Sequence, residues 1–160
     1  KSKSQRFNDK ALVYINDEPG TMYNYTFANC CSPVPGDKIF GYITSGNGVK
    51  IHRTSCPNAT YLMANFGYRI VKSEWSSNEN TSFVVQLLIT GVDDGPGVIE
   101  RLTTTLSTKL GINIRSFSIE GKEGYFEGKI SLQVLNTDQL YVVINHLKEL
   151  EGISQVTRIE

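Results

Sequence analysis

Four side chains with affinity for soft metals stand close together in the first half of the sequence: Cys30, Cys31, His52 and Cys56. Three thiols and one imidazole form a Cys3His set, which closes a tetrahedral zinc site, and His52-x-x-x-Cys56 has a spacing that zinc modules use. The adjacent pair Cys30-Cys31 is unusual, because neighbouring side chains in an extended segment point apart. The loop that follows, Ser32-Pro33-Val34-Pro35-Gly36-Asp37, has two prolines in three residues and excludes regular structure. A turn there can bring both thiols to one side. Other chemistry is open to the same residues. Three cysteines exclude a fully paired disulfide framework. Neighbouring cysteines rarely meet disulfide geometry, although one of them can bridge to Cys56. Reduced thiols in a cytoplasmic protein are the default. A Cys–His nucleophile using Cys30, Cys31 or Cys56 with His52 needs an orienting third group and an oxyanion hole. No further signature of one is present, so catalysis by this chain is not expected. Inert burial of the thiols is the remaining reading.

Two other groups of residues suit ligand binding. Between Cys30 and Lys72 there are five basic residues and one acid, Asp37. The glycine-rich hairpin Gly41–Gly48 lets backbone approach a phosphate. Lys38, Lys50, His52 and Arg53 flank it, and Phe40 and Tyr42 offer stacking faces for RNA. A solvated basic face on a hairpin is the alternative. In the second half, Asp94-Gly95-Pro96-Gly97-Val98 bares backbone at a helix start, where unsatisfied N–H groups suit a carboxylate. Asp94 as a plain helix cap and Gly97 as a plain turn residue explain the same pattern.

The elements that must position these residues follow from pattern. Ala11–Ile15 and Met22–Phe27 read as a hairpin around Asn16–Gly20. Ile39–Thr44 and Val49–His52 read as a second hairpin around Gly46-Asn47-Gly48. Ser55 before Cys56-Pro57 predicts a capped helix to about Asn65, burying Ala59, Leu62, Met63 and Phe66. Tyr68–Trp75 reads as a strand. After the polar stretch Ser76–Thr81, taken as the linker, Phe83–Val92 is a near-continuous apolar run. A helix with Val98, Ile99, Leu102, Leu106 and Leu110 on one face follows, stopped by Gly111. Ile112–Ile119 changes parity near Arg115–Ser116, which predicts a bulge. Phe126–Val134 is a strand. A helix capped by Asn136 or Thr137 carries Leu140, Val143, Ile144 and Leu147, and Ile153–Ile159 is the last strand. The order βαββαβ predicts a four-stranded antiparallel sheet with two helices on one face. The fold class is α+β: a leader at 1–10, a small mixed cysteine-containing module at 11–76, a linker at 77–81 and a ferredoxin-like domain at 82–160.

The 160 residues hold 39% hydrophobic and 20% charged residues with zero net charge, which excludes wholesale disorder. No apolar run is long enough to span a membrane. The charge is split: residues 1–80 carry nine Lys/Arg and six Asp/Glu, residues 81–160 seven and ten. Two modules with different partners are expected. The chain starts at Lys1 with no signal-like stretch behind it, and reads as a piece of a longer protein.

The motif Asp94-Gly95-Pro96-Gly97-Val98-Ile99 followed by Gly111-Ile112-Asn113-Ile114 resembles the ACT domain, a regulatory module that commonly binds amino acids between paired copies. Gly95 stands where that family often has arginine. The resemblance implies an amino-acid site at Asp94, Gly95, Gly97, Val98, Asn113 and Ile114, plausibly for a branched-chain amino acid, and a homodimer. The run from Cys30-Cys31-Ser32-Pro33 through Gly41–Gly48 to His52-Arg53-Thr54-Ser55-Cys56 is similar to the conserved-cysteine, ribosome-intersubunit or zinc-finger module of long RelA/SpoT-type stringent-response enzymes. That module directly precedes an ACT domain in the family. The resemblance implies a non-catalytic regulatory region of a (p)ppGpp synthetase/hydrolase that binds the ribosome at large-subunit RNA near the A-site tRNA. It would act on its own catalytic domains. A purely structural, dimerising role is the alternative.

Overall fold

Residues 12–46, 48–76, 81–92 and 97–159 are described by a computed structural model, whose contacts separate into two units with a boundary between Thr81 and Ser82. The first unit contains β1 (Val13–Ile15), β2 (Glu18–Pro19), β3 (Asn24–Phe27), β4 (Ile39–Ile43), β5 (Gly48–Arg53), α1 (Ala59–Asn65) and β6 (Ile70–Trp75). Its sheet runs β2-β1-β6-β4-β5-β3. β6 changes partner along its length: Ile70–Lys72 pair with β4, and Ser73–Trp75 pair with β1.

Alternation gives this sheet two apolar faces. Val13, Ile15, Val49 and Ile51 are buried on one, with Tyr23, Tyr25, Phe27 and Trp75 packed around them. Ala28, Cys31, Phe40, Cys56 and Ala59 are buried on the other, with Tyr42, Leu62 and Ile70.

Three details depart from the sequence pattern. Met22–Phe27 does not form a hairpin with β1. The chain turns at Asn16 and Asp17, both at positive φ (52° and 65°), and β1 folds onto Glu18–Pro19, as a two-residue turn of that kind favours. β3 lies parallel to β5 instead, which lays its aromatic rings over the Val13–Ile51 cluster. α1 starts at Ala59 after Asn58 with no side-chain cap. The Ser55 cap is pre-empted by successive tight turns, Cys56 N to Arg53 O and Ala59 N to Cys56 O. Met63 is 42% exposed, because so short a helix buries little beyond Ala59 and Leu62.

The second unit contains β7 (Phe83–Val92), α2 (Gly97–Thr103), β8 (Asn113–Lys122), β9 (Tyr125–Val134), α3 (Thr137–Lys148) and β10 (Ile153–Arg158). All pairings are antiparallel in the order β10-β7-β9-β8. Phe83, Val85, Leu87 and Ile89 of β7 and Phe126, Ile130, Leu132 and Val134 of β9 are buried. Val98, Leu102 and Leu106, Leu140, Val143 and Leu147 of α3, Ile112 before β8 and Val156 of β10 are buried as well. Asn136 caps α3 by accepting from Gln139 N at 2.8 Å. The bulge in β8 falls between Ile114 and Ser116.

α2 does not run as one α-helix to Gly111. Thr104–Lys109 widens into a π turn, with Leu110 N bonded to Thr105 O. The extra residue per turn rotates Thr105 inward beside Leu106, while Leu110 is only half-buried and Ile99 is 44% exposed.

Where β7 leaves the sheet, backbone fills the space a side chain would need. A Cβ on Gly91 would strike the Gly152 carbonyl and come within 2.7 Å of the Phe126 ring. Gly91→Ala is therefore expected to destabilise the second unit by about 1–3 kcal/mol, the usual cost of overpacking. Gly67→Ala, with nothing within 4 Å of its Cβ, should change stability by no more than about 0.5 kcal/mol. Urea unfolding followed by circular dichroism checks both, and equal midpoints would refute the steric argument.

Candidate metal centre

Three separate segments deliver the four donors. Cys30 and Cys31 sit in a turn closed by Ser32 N to Ala28 O at 3.0 Å, with Ser32 at φ 45°. Within such a helical turn, adjacent side chains diverge by roughly 100° and not 180°, so both thiols reach one centre. β5 supplies His52, and the turn after it supplies Cys56. Cys30 Sγ lies 3.5 Å from His52 Nδ1 and 3.2 Å from Cys56 Sγ. All four donor atoms lie within 4.8 Å of one another. Zinc bonds of about 2.3 Å to sulfur and about 2.0 Å to nitrogen place tetrahedral neighbours roughly 3.5–3.8 Å apart. The residues present therefore fit a zinc ion in chemistry, and their separations, from 3.2 Å to no more than 4.8 Å, bracket that spacing.

The electrostatics favour the uncharged forms of Cys31, Cys56 and His52. Cys31 is pushed up to about 12, chiefly by burial and then by the other thiols, while the Arg53 backbone N–H works the other way. That N–H reaches Cys31 Sγ at 3.3 Å. Burial also raises Cys56, against the Asn58 backbone N–H. Burial lowers His52, and Lys50 adds to the drop. Raised thiols are poor nucleophiles, whereas neutral imidazole and N–H-assisted sulfur suit metal ligation. His52 is further held by stacking on Phe40, with centroids 5.4 Å apart and planes at 13°.

Sequence reasoning missed Asp37 as the brace of this site. Its Oδ2 accepts from Val34 N at 2.8 Å, and its carbonyl accepts from Trp75 Nε1 at 3.0 Å. Its Oδ1 lies 3.8 Å from Arg53 Nε with both side chains nearly buried, and Arg53 Nη1 donates to Cys31 O at 3.3 Å. A lone acid just after two prolines, in a basic stretch, was the available signal.

Burial divides the residues expected at an RNA face. Phe40 is 4% exposed, His52 6% and Arg53 9%, so these three side chains are internal. Lys38 and Lys50 are exposed, and Tyr42 is half-buried. In the second unit, Asp94 and Gly95 lie outside the described residues. Val98 is buried in the core, and among the described residues a Gly97 Cβ would meet Arg101 alone, at 3.0 Å. Asn113 and Ile114 open β8; the Asn113 amide donates to Gln133 Oε1 at 2.6 Å. Hollows of about 380 Å³ (Ser118, Glu120, Glu127, Lys129) and about 300 Å³ (Glu100, Arg101, Thr104, Lys109) include none of these four.

Without metal, the folded chain protonates His52 below its ordinary 6.5. On acidification the unfolded state takes the proton first. The stability contributed by neutral His52 is complete above 6.5 and is lost as pH falls through the lower folded value. The urea midpoint of metal-free protein, followed by the single tryptophan, Trp75, should therefore fall between about pH 7 and about pH 5. The fall should be shallower in His52→Gln, and an unchanged slope in that variant would remove His52 as its source.

A family model for the RelA/SpoT RIS domain matches residues 15–76, and one for the ACT domain matches residues 79–158. GTP pyrophosphokinase of Haemophilus influenzae is 30% identical over 161 residues, covering 98% of this chain and 21% of that protein. The bifunctional (p)ppGpp synthase/hydrolase RelA of Mycobacterium tuberculosis is 28% identical over 155 residues, covering 96% of this chain and 20% of that protein. The chain thus spans about a fifth of the length of these curated relatives. A crystal structure of the ACT domain from GTP pyrophosphokinase of Chlorobium tepidum is 29% identical, covering 49% of this chain and 99% of that one, with a TM-score of 0.44. With the ACT match spanning half of the chain and the RIS match most of the residues before it, the chain belongs to the RelA/SpoT family, as a RIS domain followed by an ACT domain.

Proposed function

We propose that this chain is a non-catalytic control region of a (p)ppGpp synthetase/hydrolase in the bacterial cytoplasm. Its RIS domain binds large-subunit ribosomal RNA near the A-site tRNA, and its ACT domain pairs two copies or senses an amino acid. The observation that carries the RNA reading is the disposition of charge in the first unit. The one acid between Cys30 and Lys72 is Asp37, and it is turned inward beside Arg53. Lys38 and Lys50 remain exposed, with no carboxylate within 4 Å among the described residues. Lys72 is engaged by Asp17 and Glu74.

Cys30, Cys31, His52 and Cys56 would hold Zn2+ as a closed structural site. Four protein donors leave no position for substrate, so the ion supplies a cross-link and no reaction chemistry. The dimerisation reading has its own support. β8 is a ten-residue edge strand, an open row of backbone groups suited to pairing with a second copy.

Three measurements test these assignments. Lys38→Glu with Lys50→Glu should weaken co-sedimentation with ribosomes, and raised salt should weaken the wild-type interaction; unchanged binding would remove these lysines from the interface. Elemental analysis should find one zinc per chain, lost in Cys56→Ser. Loading it should release protons from the raised thiols, so affinity should climb with pH. Calorimetry with valine or isoleucine should show heat that vanishes in Gly97→Val, whose Cβ would come within 3.0 Å of the Arg101 side chain. A flat trace with all amino acids would leave dimerisation as the ACT role.

A further inference from the structure

We infer that the RIS domain carries a stacking platform for an unpaired nucleobase of RNA, built by Tyr61, Phe66 and Tyr68 and flanked by the cations Lys50 and Arg69. This inference rests on the RNA-binding reading above and relocates its aromatic contact.

The stacking faces expected at the hairpin are used inside the domain, since Phe40 lies against His52. The most exposed aromatic rings of this unit lie on α1 and in the turn after it, ahead of Tyr14 of β1 at 42%. Tyr61 is 60% exposed and Tyr68 77%. Phe66, half-buried between them, has its centroid 6.0 Å from Tyr61 and 6.4 Å from Tyr68. Tyr42 braces Phe66 from the sheet at 6.3 Å, edge-on at 78°. Each tyrosine meets the Phe66 ring at a steep angle, 64° for Tyr61 and 60° for Tyr68, so neither lies flat on it. Their exposed surface is left for a flat ligand.

The surrounding charge selects the ligand. Thr54–Arg69 contains no Asp or Glu. The Arg69 guanidinium sits 5.7 Å from the Tyr68 centroid and is aimed by a 3.1 Å bond to Ile43 O. Lys50 lies directly opposite Tyr42 in the β4–β5 register, on the same sheet face. Aromatic faces between two cations match a base between its own phosphates, with π-stacking for the ring and charge for the backbone. A duplex offers no free base face to such a patch.

The test uses the zinc-loaded chain and fluorescence anisotropy with a short labelled oligoadenylate, against duplex RNA of equal length. Wild-type protein should bind the single strand more tightly than the duplex. Tyr61→Ala with Tyr68→Ala should lose about tenfold or more in single-strand affinity, while Tyr61→Phe with Tyr68→Phe keeps it. Both tyrosines are exposed, and circular dichroism confirms that the variants fold. Equal binding by the alanine pair, or preference for the duplex, overturns the platform. If ribosome co-sedimentation still depends on Lys38 and Lys50 in that case, the broader RNA reading stands without it. A proline-rich peptide provides the competing occupant: if the alanine pair loses peptide binding and keeps RNA binding, the patch belongs to a protein partner and the inference fails.

Discussion

The convergence of four soft donors organises the first unit. Cys30 and Cys56 are 26 residues apart in sequence, and the strands and loops between them enclose only a few buried side chains on that face. A domain of this size has a marginal core. Each of its two apolar clusters contains about as many half-buried as fully buried residues. Joining Cys30, Cys31, His52 and Cys56 closes loops that the unfolded chain must otherwise leave open. A cross-link over a loop of this length stabilises by about 3 kcal/mol by loop entropy alone. Metal ligation, as proposed, would also remove the penalty of burying three thiols and an imidazole without strong partners.

The second unit needs no such tie. Its sheet buries one continuous row of β7 and another of β9, and three residues of α3 are among the buried apolar set. Its irregularities sit at the margins of that core. The π turn brings Thr105 inward, and the β8 bulge lies at the sheet edge. Both alter side-chain direction without opening the core, as bulges at edges generally do. On the proposed reading the two units reach stability by different routes, one through shared ligation and one through area buried.

That difference explains what could be read from the residues alone. Long periodic segments declared themselves: Phe83–Val92, the Leu140-Val143-Leu147 stripe and the parity break at Arg115–Ser116 all occupy the expected elements. The donor set was legible as chemistry, because Cys and His are rare and close in sequence. Its geometry was not, since a left-handed Ser32 and a five-residue turn carry no strong residue signature. Pattern also failed where elements are short. Three-residue β1 has no periodicity to choose a partner, so turn chemistry at Asn16-Asp17 and the packing of Tyr25 and Phe27 decided it. Phe40 and His52 look like ligand-facing residues in sequence for the same reason that they serve the core: stacked rings beside thiols are useful in both places, and only burial separates the two uses.

Magnitudes also constrain what the first unit must use to hold a polyanion. Its cations clear of carboxylates are few among the described residues: exposed Lys38 and Lys50, and half-buried Arg69. If each meets one phosphate of a single strand, the slope of log affinity against log salt is only about −2, and a doubling of salt costs roughly fourfold in affinity. Such a field attracts RNA but cannot by itself hold one site against the many phosphates elsewhere on a large RNA. Stacking contributes about 1–3 kcal/mol per base, comparable with that whole electrostatic contribution and nearly independent of salt. It also requires a base that is not already paired. On the proposed reading, a weakly basic surface with exposed tyrosines would select by the local shape of RNA more than by its charge, and the inward-turned Asp37 would serve both ends, bracing the cysteine loop while leaving the outer cations unneutralised.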